Sequence, residues 1–145
     1  MSHSALVSFP VVIEFDVGWS DMDSYDHVSN LVYFRYFQDA RIEYLARVGW
    51  LESKRTSGLG PIVKSTAASY RKPVKYPDRV WVGARVIEAL TDRVTFEHKL
   101  VSRAWGQVAC EGTAVLVSYD YRNECKAPLP DGVRRAMVAL EGQTE

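Results

Sequence analysis

The sequence predicts an α+β fold in which a five-stranded antiparallel sheet curls around one long helix. Three observations predict it. Residues 9–19 alternate apolar and polar side chains. Residues 29–48 carry a helical apolar face that spreads almost all the way round in its first turns. From residue 61 onward, four strand-like runs follow one another with short turns between them. A helix apolar on most sides must be wrapped, and the strands are what can wrap it. The 145 residues suffice for one domain with a core, so residues 1–145 are expected to form a single unit.

Each element has its own signal. In the first strand Phe9, Val11, Ile13, Phe15, Val17 and Trp19 share one face. Carrying that parity onward puts Asp21 and Asp23 on the same face, an unusual place for carboxylates. In the helix, Tyr33, Phe37, Ala40, Tyr44 and Val48 recur three or four residues apart. Arg35, Asp39, Glu43 and Arg47 recur at every fourth position on another face, where they pair in part. Ser29 or Asp26 can cap its start, and Gly49 can end it. The meander reads as strands over 61–76, 80–90, 93–104 and 107–119, the first of them broken or bulged near Pro73. Pro128 and Pro130 stop the sheet, and 131–141 reads as a short final helix. One helix covers only one face of such a sheet. The far face and an edge stay open, so a homodimer or homotetramer is expected.

Composition narrows the function. Lys plus Arg and Asp plus Glu number 18 each, a balance that argues against a general nucleic-acid binder. No apolar run reaches the ~18 residues of a membrane helix. The N-terminus lacks the basic-then-apolar order of a secretory signal, and Cys110 and Cys125 form neither a disulfide framework nor a metal-ligand spacing. A cytoplasmic protein with no structural metal, no nucleic-acid partner and no membrane partner is expected. The charge is unevenly spread: residues 64–79 hold Lys64, Arg71, Lys72, Lys75 and Arg79 against one acid, Asp78. Such an excess is either a solvated strand face or a landing site for a phosphorylated ligand.

The segment from Asp21 to Asn30 joins the first strand to the apolar helix. It holds Asp21, Asp23, Asp26, His27 and Asn30. Unpaired N–H groups at a helix start attract negative charge or a polarised carbonyl, and Asp, Ser and Asn are also the usual capping residues there. Both readings stand on spacing alone. Asp21-Met22-Asp23, His27-Val28-Ser29-Asn30, Tyr33, Tyr36 and Ala40-Arg41 resemble the signature D-x-D-x-x-G-H-V-N-N-x-x-Y-x-x-Y-x-x-x-A-R. That signature belongs to the 4-hydroxybenzoyl-CoA thioesterase family of hotdog-fold acyl-CoA thioesterases. Tyr70 to Asp78 is similar to the family's Y-x-x-P-x-x-Y-G-D, and Lys126 to Pro130 to its K-x-x-I-P ending. Three positions depart from the pattern. Asp26 stands for a Gly, Ser29 for an Asn, and Pro77 for the Gly before Asp78. Asp tolerates left-handed backbone, so the turn at Asp26 is expected to survive.

The resemblance implies a hotdog fold, dimers or tetramers paired through sheet edges, and active sites at subunit interfaces. It implies an acyl-CoA substrate, with coenzyme A entering as part of that substrate and no separate cofactor. It aligns the catalytic acid with Asp23, expected to be at least partly buried. A thiolate leaves readily, its conjugate acid lying near pKa ~8.5, so one carboxylate suffices as nucleophile or general base. Backbone or side-chain groups of His27, Val28, Ser29 and Asn30 are expected to position substrate or polarise the carbonyl. Arg71 and Lys72 lead as ligands for the phosphates of coenzyme A. Asp21 reads as a structural partner accepting backbone hydrogen bonds, His98 as a satisfied core histidine, and Cys110 as packing. A non-catalytic acyl-CoA binding or sensing protein is the alternative, and the presence of Asp23 favours the enzyme.

Overall fold

The computed structural model describes residues 3–144. Strand β1 (Val11–Asp16) is followed by a 3-10 turn at Trp19–Asp21 and then by helix α1 (Asn30–Arg47). Ser29 caps α1, its Oγ accepting the Leu31 N–H at 3.3 Å. A second helix, α2 (Trp50–Ser57), lies between Gly49 and Gly58, both left-handed with φ of 78° and 80°. The expected elements include no such helix; the paired glycines are its only strong sequence signal.

The remaining strands are β2 (Leu59–Tyr70), β3 (Arg79–Ala89), β4 (Arg93–Ser102) and β5 (Gln107–Asp120). A two-residue β6 (Cys125–Lys126) pairs with β5, so the sheet has six strands where the sequence predicts five. Helix α3 (Asp131–Gly142) closes the chain. The first long strand of the meander ends at Tyr70 rather than residue 76. Its bulge lies at Lys64, between Val63 and Ser65, and not near Pro73. Pro73 and Pro77 fall in the connection to β3, where no ladder N–H is required of them.

All pairings are antiparallel, in the order β1-β3-β4-β5-β2. The chain places β1 and β2 at opposite edges and lays α1 across the concave face between them. Tyr33, Phe37, Ala40 and Tyr44 of α1 are buried against Val80, Val82, Ala84, Phe96 and Leu100. Gly112 makes room for the helix, because a Cβ there would stand 2.6 Å from the Phe37 ring. The result is the hotdog architecture, one long helix held in a curled sheet. A smaller cluster of Leu6, Phe9 and Val101 fastens the N-terminal segment to the convex face.

His98 is a satisfied core histidine, as expected. Its Nδ1 lies 3.0 Å from the Gly83 carbonyl, and its Nε2 lies 3.1 Å from Nη1 of the buried Arg41. The carbonyl only accepts and the guanidinium only donates, so His98 is neutral with its proton on Nδ1. Among the described residues no helix is long and apolar enough to cross a membrane, and no cluster of three His, Cys, Asp or Glu side chains has metal-binding geometry.

Candidate active site

The site is built where β1 hands over to α1. The strand period of two ends at the 3-10 turn, and this separates the two aspartates that the parity argument keeps together. Asp21 turns inward and is 9% exposed. Its Oδ2 accepts the Gly18 N–H at 2.9 Å and the Tyr36 hydroxyl at 2.8 Å, and its Oδ1 accepts from Arg35 at 2.9 Å. Burial alone would raise the Asp21 pKa. The Gly18, Arg35 and Tyr36 donors outweigh it and hold the carboxyl below its usual range. Asp21 thus accepts a backbone hydrogen bond, as expected, and two side-chain bonds besides.

Asp23 is exposed in the single chain, which corrects the expectation that it would be partly buried. The cause is the small loop it heads. Met22 and Val28 form a β-bridge, the Asp23 N–H donates to the His27 carbonyl, and the Ser29 N–H donates to the Asp21 carbonyl. The loop is a miniature hairpin whose tip points away from the core. Asp26 sits at its turn with φ of 63°, so aspartate serves where the family pattern has glycine. The Asp23 Oδ1 accepts the Tyr25 N–H at 2.9 Å, which orients the carboxylate and leaves its other oxygen to solvent.

The Asn30 N–H is an open donor in the first turn of α1. The Val28 N–H is taken by the Val74 carbonyl at 2.8 Å and the Ser29 N–H by Asp21. Leu31 and Val32 donate to the Ser29 side chain and carbonyl. Among the described residues no acceptor faces the Asn30 N–H. Val28 and Ser29 were also expected to polarise the carbonyl through their amides; those amides are already satisfied inside the chain. Asn30 lines a cavity of about 390 Å³ together with His27, Val28, Tyr33 and residues 70–73. Tyr33 and Tyr70 meet edge to face, 5.2 Å between ring centroids, and form its aromatic wall. Tyr70 is a lining residue that sequence reasoning missed; its signal is its place at the head of the Y-x-x-P motif. The His27 Nδ1 lies 3.2 Å from the Val28 carbonyl, so it carries the proton, and its ring stacks on Tyr25 rather than pairing with Asp26.

Arg71 and Lys72 stand at the rim of the same cavity. Both are engaged: Arg71 bonds Glu111 at 2.6 Å through Nε, and Lys72 lies 4.9 Å from the centroid of the Trp105 ring. Asp78 of the second motif accepts from the Arg79 and Ala104 N–H groups and from Ser102 Oγ, closing the turn between β4 and β5, and does not line the cavity. Cys110 lies beneath the tyrosine wall. Burial, with the nearby Glu111 charge, pushes its thiol up to about 12, so it is packing and not a nucleophile.

One long helix held in a curled antiparallel sheet, with the matches that follow, marks a hotdog-fold thioester hydrolase. The thioesterase-like superfamily matches residues 17–137, and the chain belongs to it. A thioesterase from Thermus thermophilus, crystallised with coenzyme A and zinc, is 31% identical. It superposes with a TM-score of 0.82 over 93% of this chain and 96% of that one. A protein from Pseudomonas aeruginosa is 27% identical with a TM-score of 0.80, over 92% of each chain. A 1,4-dihydroxy-2-naphthoyl-CoA thioesterase from Synechocystis is 16% identical, TM-score 0.79 over 90% of this chain and 97% of that one, and shares the fold.

Proposed function

We propose that this chain hydrolyses an acyl-CoA thioester to a carboxylic acid and free coenzyme A, using Asp23 as the reacting carboxylate and the Asn30 N–H to polarise the carbonyl. The observation that carries the reading is the open Asn30 amide at the start of α1, in a cavity also lined by His27, whose carbonyl accepts the Asp23 N–H; Asp23 itself does not line that cavity in the single chain. The thioester carbonyl accepts from that amide, where the α1 macrodipole adds to its pull on developing negative charge. Asp23 then either adds to the carbonyl carbon or takes a proton from a water that does so. In the first route the C–S bond breaks, the thiolate leaves with the electron pair, and water cleaves the resulting anhydride. In the second, the acid forms directly. Both routes release the thiol without a strong general acid, and coenzyme A enters only as part of the substrate.

Asp23 is exposed and the cavity opens beside the uncovered edge strand β2, which fits a site completed by a second copy of the chain. Arg71 and Lys72 at the rim suit the phosphates, Arg71 by exchanging Glu111 for a phosphate oxygen.

Two substitutions test the reading by release of free thiol from a panel of acyl-CoAs. Asp23→Asn keeps the shape and removes nucleophile and base, so kcat should fall by at least ~10². Asn30→Pro removes the open N–H together with the Asn30 carboxamide, and Asn30→Ala, which keeps the N–H, is its control. The first helical position accepts proline, and Ser29 before it already has the extended φ, ψ of −61° and 143° that a following proline requires. Loss of one such donor should lower kcat about 10²–10³-fold with the fold intact. Wild-type turnover by Asp23→Asn would sink the mechanism.

A further inference from the structure

Helix α1 carries two buried tyrosines that each donate to a carboxylate from elsewhere in the chain. Near its start Tyr36 donates to Asp21 at 2.8 Å, and near its end Tyr44 donates to Glu141 of α3 at 2.6 Å. The two bonds are chemically alike and differ in what hangs on them. Asp21 is the base of the loop that carries Asp23. Its side chain grips α1 through Tyr36 and Arg35 and the preceding turn through Gly18, while its carbonyl receives the Ser29 N–H. Asp23 has no packing of its own; residues 23–26 are all exposed. Its place relative to the Asn30 N–H is therefore inherited from the base of the loop.

We propose that Tyr36 is a positioning residue for thioester hydrolysis: through Asp21 it fixes the Asp23 loop against the first turn of α1. This rests on the reading of Asp23 as the reacting carboxylate. Tyr36 is 2% exposed and its ring packs on Phe15 of β1 with 4.9 Å between centroids, which fixes the direction in which its hydroxyl meets Asp21. Without that hydroxyl, Asp21 keeps Gly18 and the solvent-facing Arg35 but loses its link into the core. The loop then samples positions that separate the carboxylate from the polarised carbonyl, and a displacement of about 1 Å at a reacting group costs up to ~10²-fold.

The test compares Tyr36→Phe with Tyr44→Phe, at a temperature well below both unfolding transitions. Tyr36→Phe should lower kcat at least ~10-fold with KM within about 2-fold, because it weakens a geometry needed in the transition state. Tyr44→Phe should lower the unfolding temperature and leave kcat at the wild-type value. Asp21→Asn, which presents an amide where three donors converge, should follow Tyr36→Phe. In the double variant Tyr36→Phe, Asp23→Asn, the Tyr36 effect should vanish, since the group it positions is gone. If Tyr36→Phe turns over normally while Asp23→Asn is inactive, the positioning role is overturned and the Asp23 reading stands. Losses that multiply in the double variant overturn it as well, because Tyr36 then acts through some other group. If Asp23→Asn is itself fully active, both readings fall.

Discussion

His98 shows how one buried side chain ties stability to pH. Burial, helped by the neighbouring Arg41 charge, lowers its pKa to about 3. In the unfolded chain the same imidazole titrates near ~6.5. Above that pH both states are neutral and His98 adds no pH dependence. As the pH falls from ~6.5 toward 3, the unfolded chain binds a proton that the folded chain refuses, so stability is lost at up to ~1.4 kcal/mol per unit. Asp21, held below the ordinary carboxylate range, adds its own loss only below about pH 4. Urea unfolding followed from pH 7 to about pH 4 should show the slope of one proton, and His98→Gln should remove it. Asp26 gives a second expectation at this scale. Its left-handed φ of 63° is a conformation glycine adopts freely, so Asp26→Gly should stabilise by up to ~1 kcal/mol, read as a higher unfolding temperature.

Among the elements, α3 buries Val133, Met137 and Leu140 in the core and adds one polar tie through Glu141. The Glu141 carboxylate accepts both the Tyr44 hydroxyl and the Val86 N–H, at 2.6 and 3.0 Å. Val86 borders the β3 bulge, where the ladder to β4 shifts register before Glu88. Glu141 therefore supplies an acceptor at a place where the sheet is irregular. Glu141→Ala strands two donors, one of them on a fully buried tyrosine, and should cost about 1–3 kcal/mol in denaturant unfolding. Its kcat at low temperature should stay at the wild-type value, since α3 lies at the end of α1 remote from Asn30. The start of α1 has the opposite character. There Ser29 caps the helix, and the Asn30 amide that it leaves open is the donor our proposal assigns to the thioester carbonyl.

For the whole molecule, the exposed edge strand β2 sets the expectation. Residues 62–67 are exposed, and they lead toward Tyr70 at the wall of the cavity. We expect β2 to pair with a second copy, and sedimentation at micromolar concentration should give at least a dimer. Ser65→Lys, Ala67→Lys and Ser69→Lys together put like charges along that edge and should yield a monomer of low activity. A variant that sediments as a monomer and stays fully active would show that one chain suffices. Salt speaks to the same surface. If Arg71 and Lys72 meet the phosphates, KM for acyl-CoA should rise with ionic strength, with kcat steady.

The long helix, its Ser29 cap, the meander and the candidacy of the segment from Asp21 to Asn30 were all legible in the order of residues. Period, caps and turn residues are local properties, and the chain states them locally. Three things were not. The parity that put Asp21 and Asp23 on one face failed because a single 3-10 turn cancels a period of two, and only the fold shows which aspartate Tyr36 captures. The amides of Val28, Ser29 and Asn30 look equivalent in sequence. Val74, more than forty residues on, takes the first, and Asp21 takes the second across the loop. The basic run 64–79, a candidate phosphate site in sequence, is split by the sheet, which sends Arg71 to Glu111 and Arg79 to Glu14 and Asp16. A hydrogen bond or ion pair needs a partner at a particular distance and angle, and tertiary contacts between residues far apart in the chain decide which partner arrives.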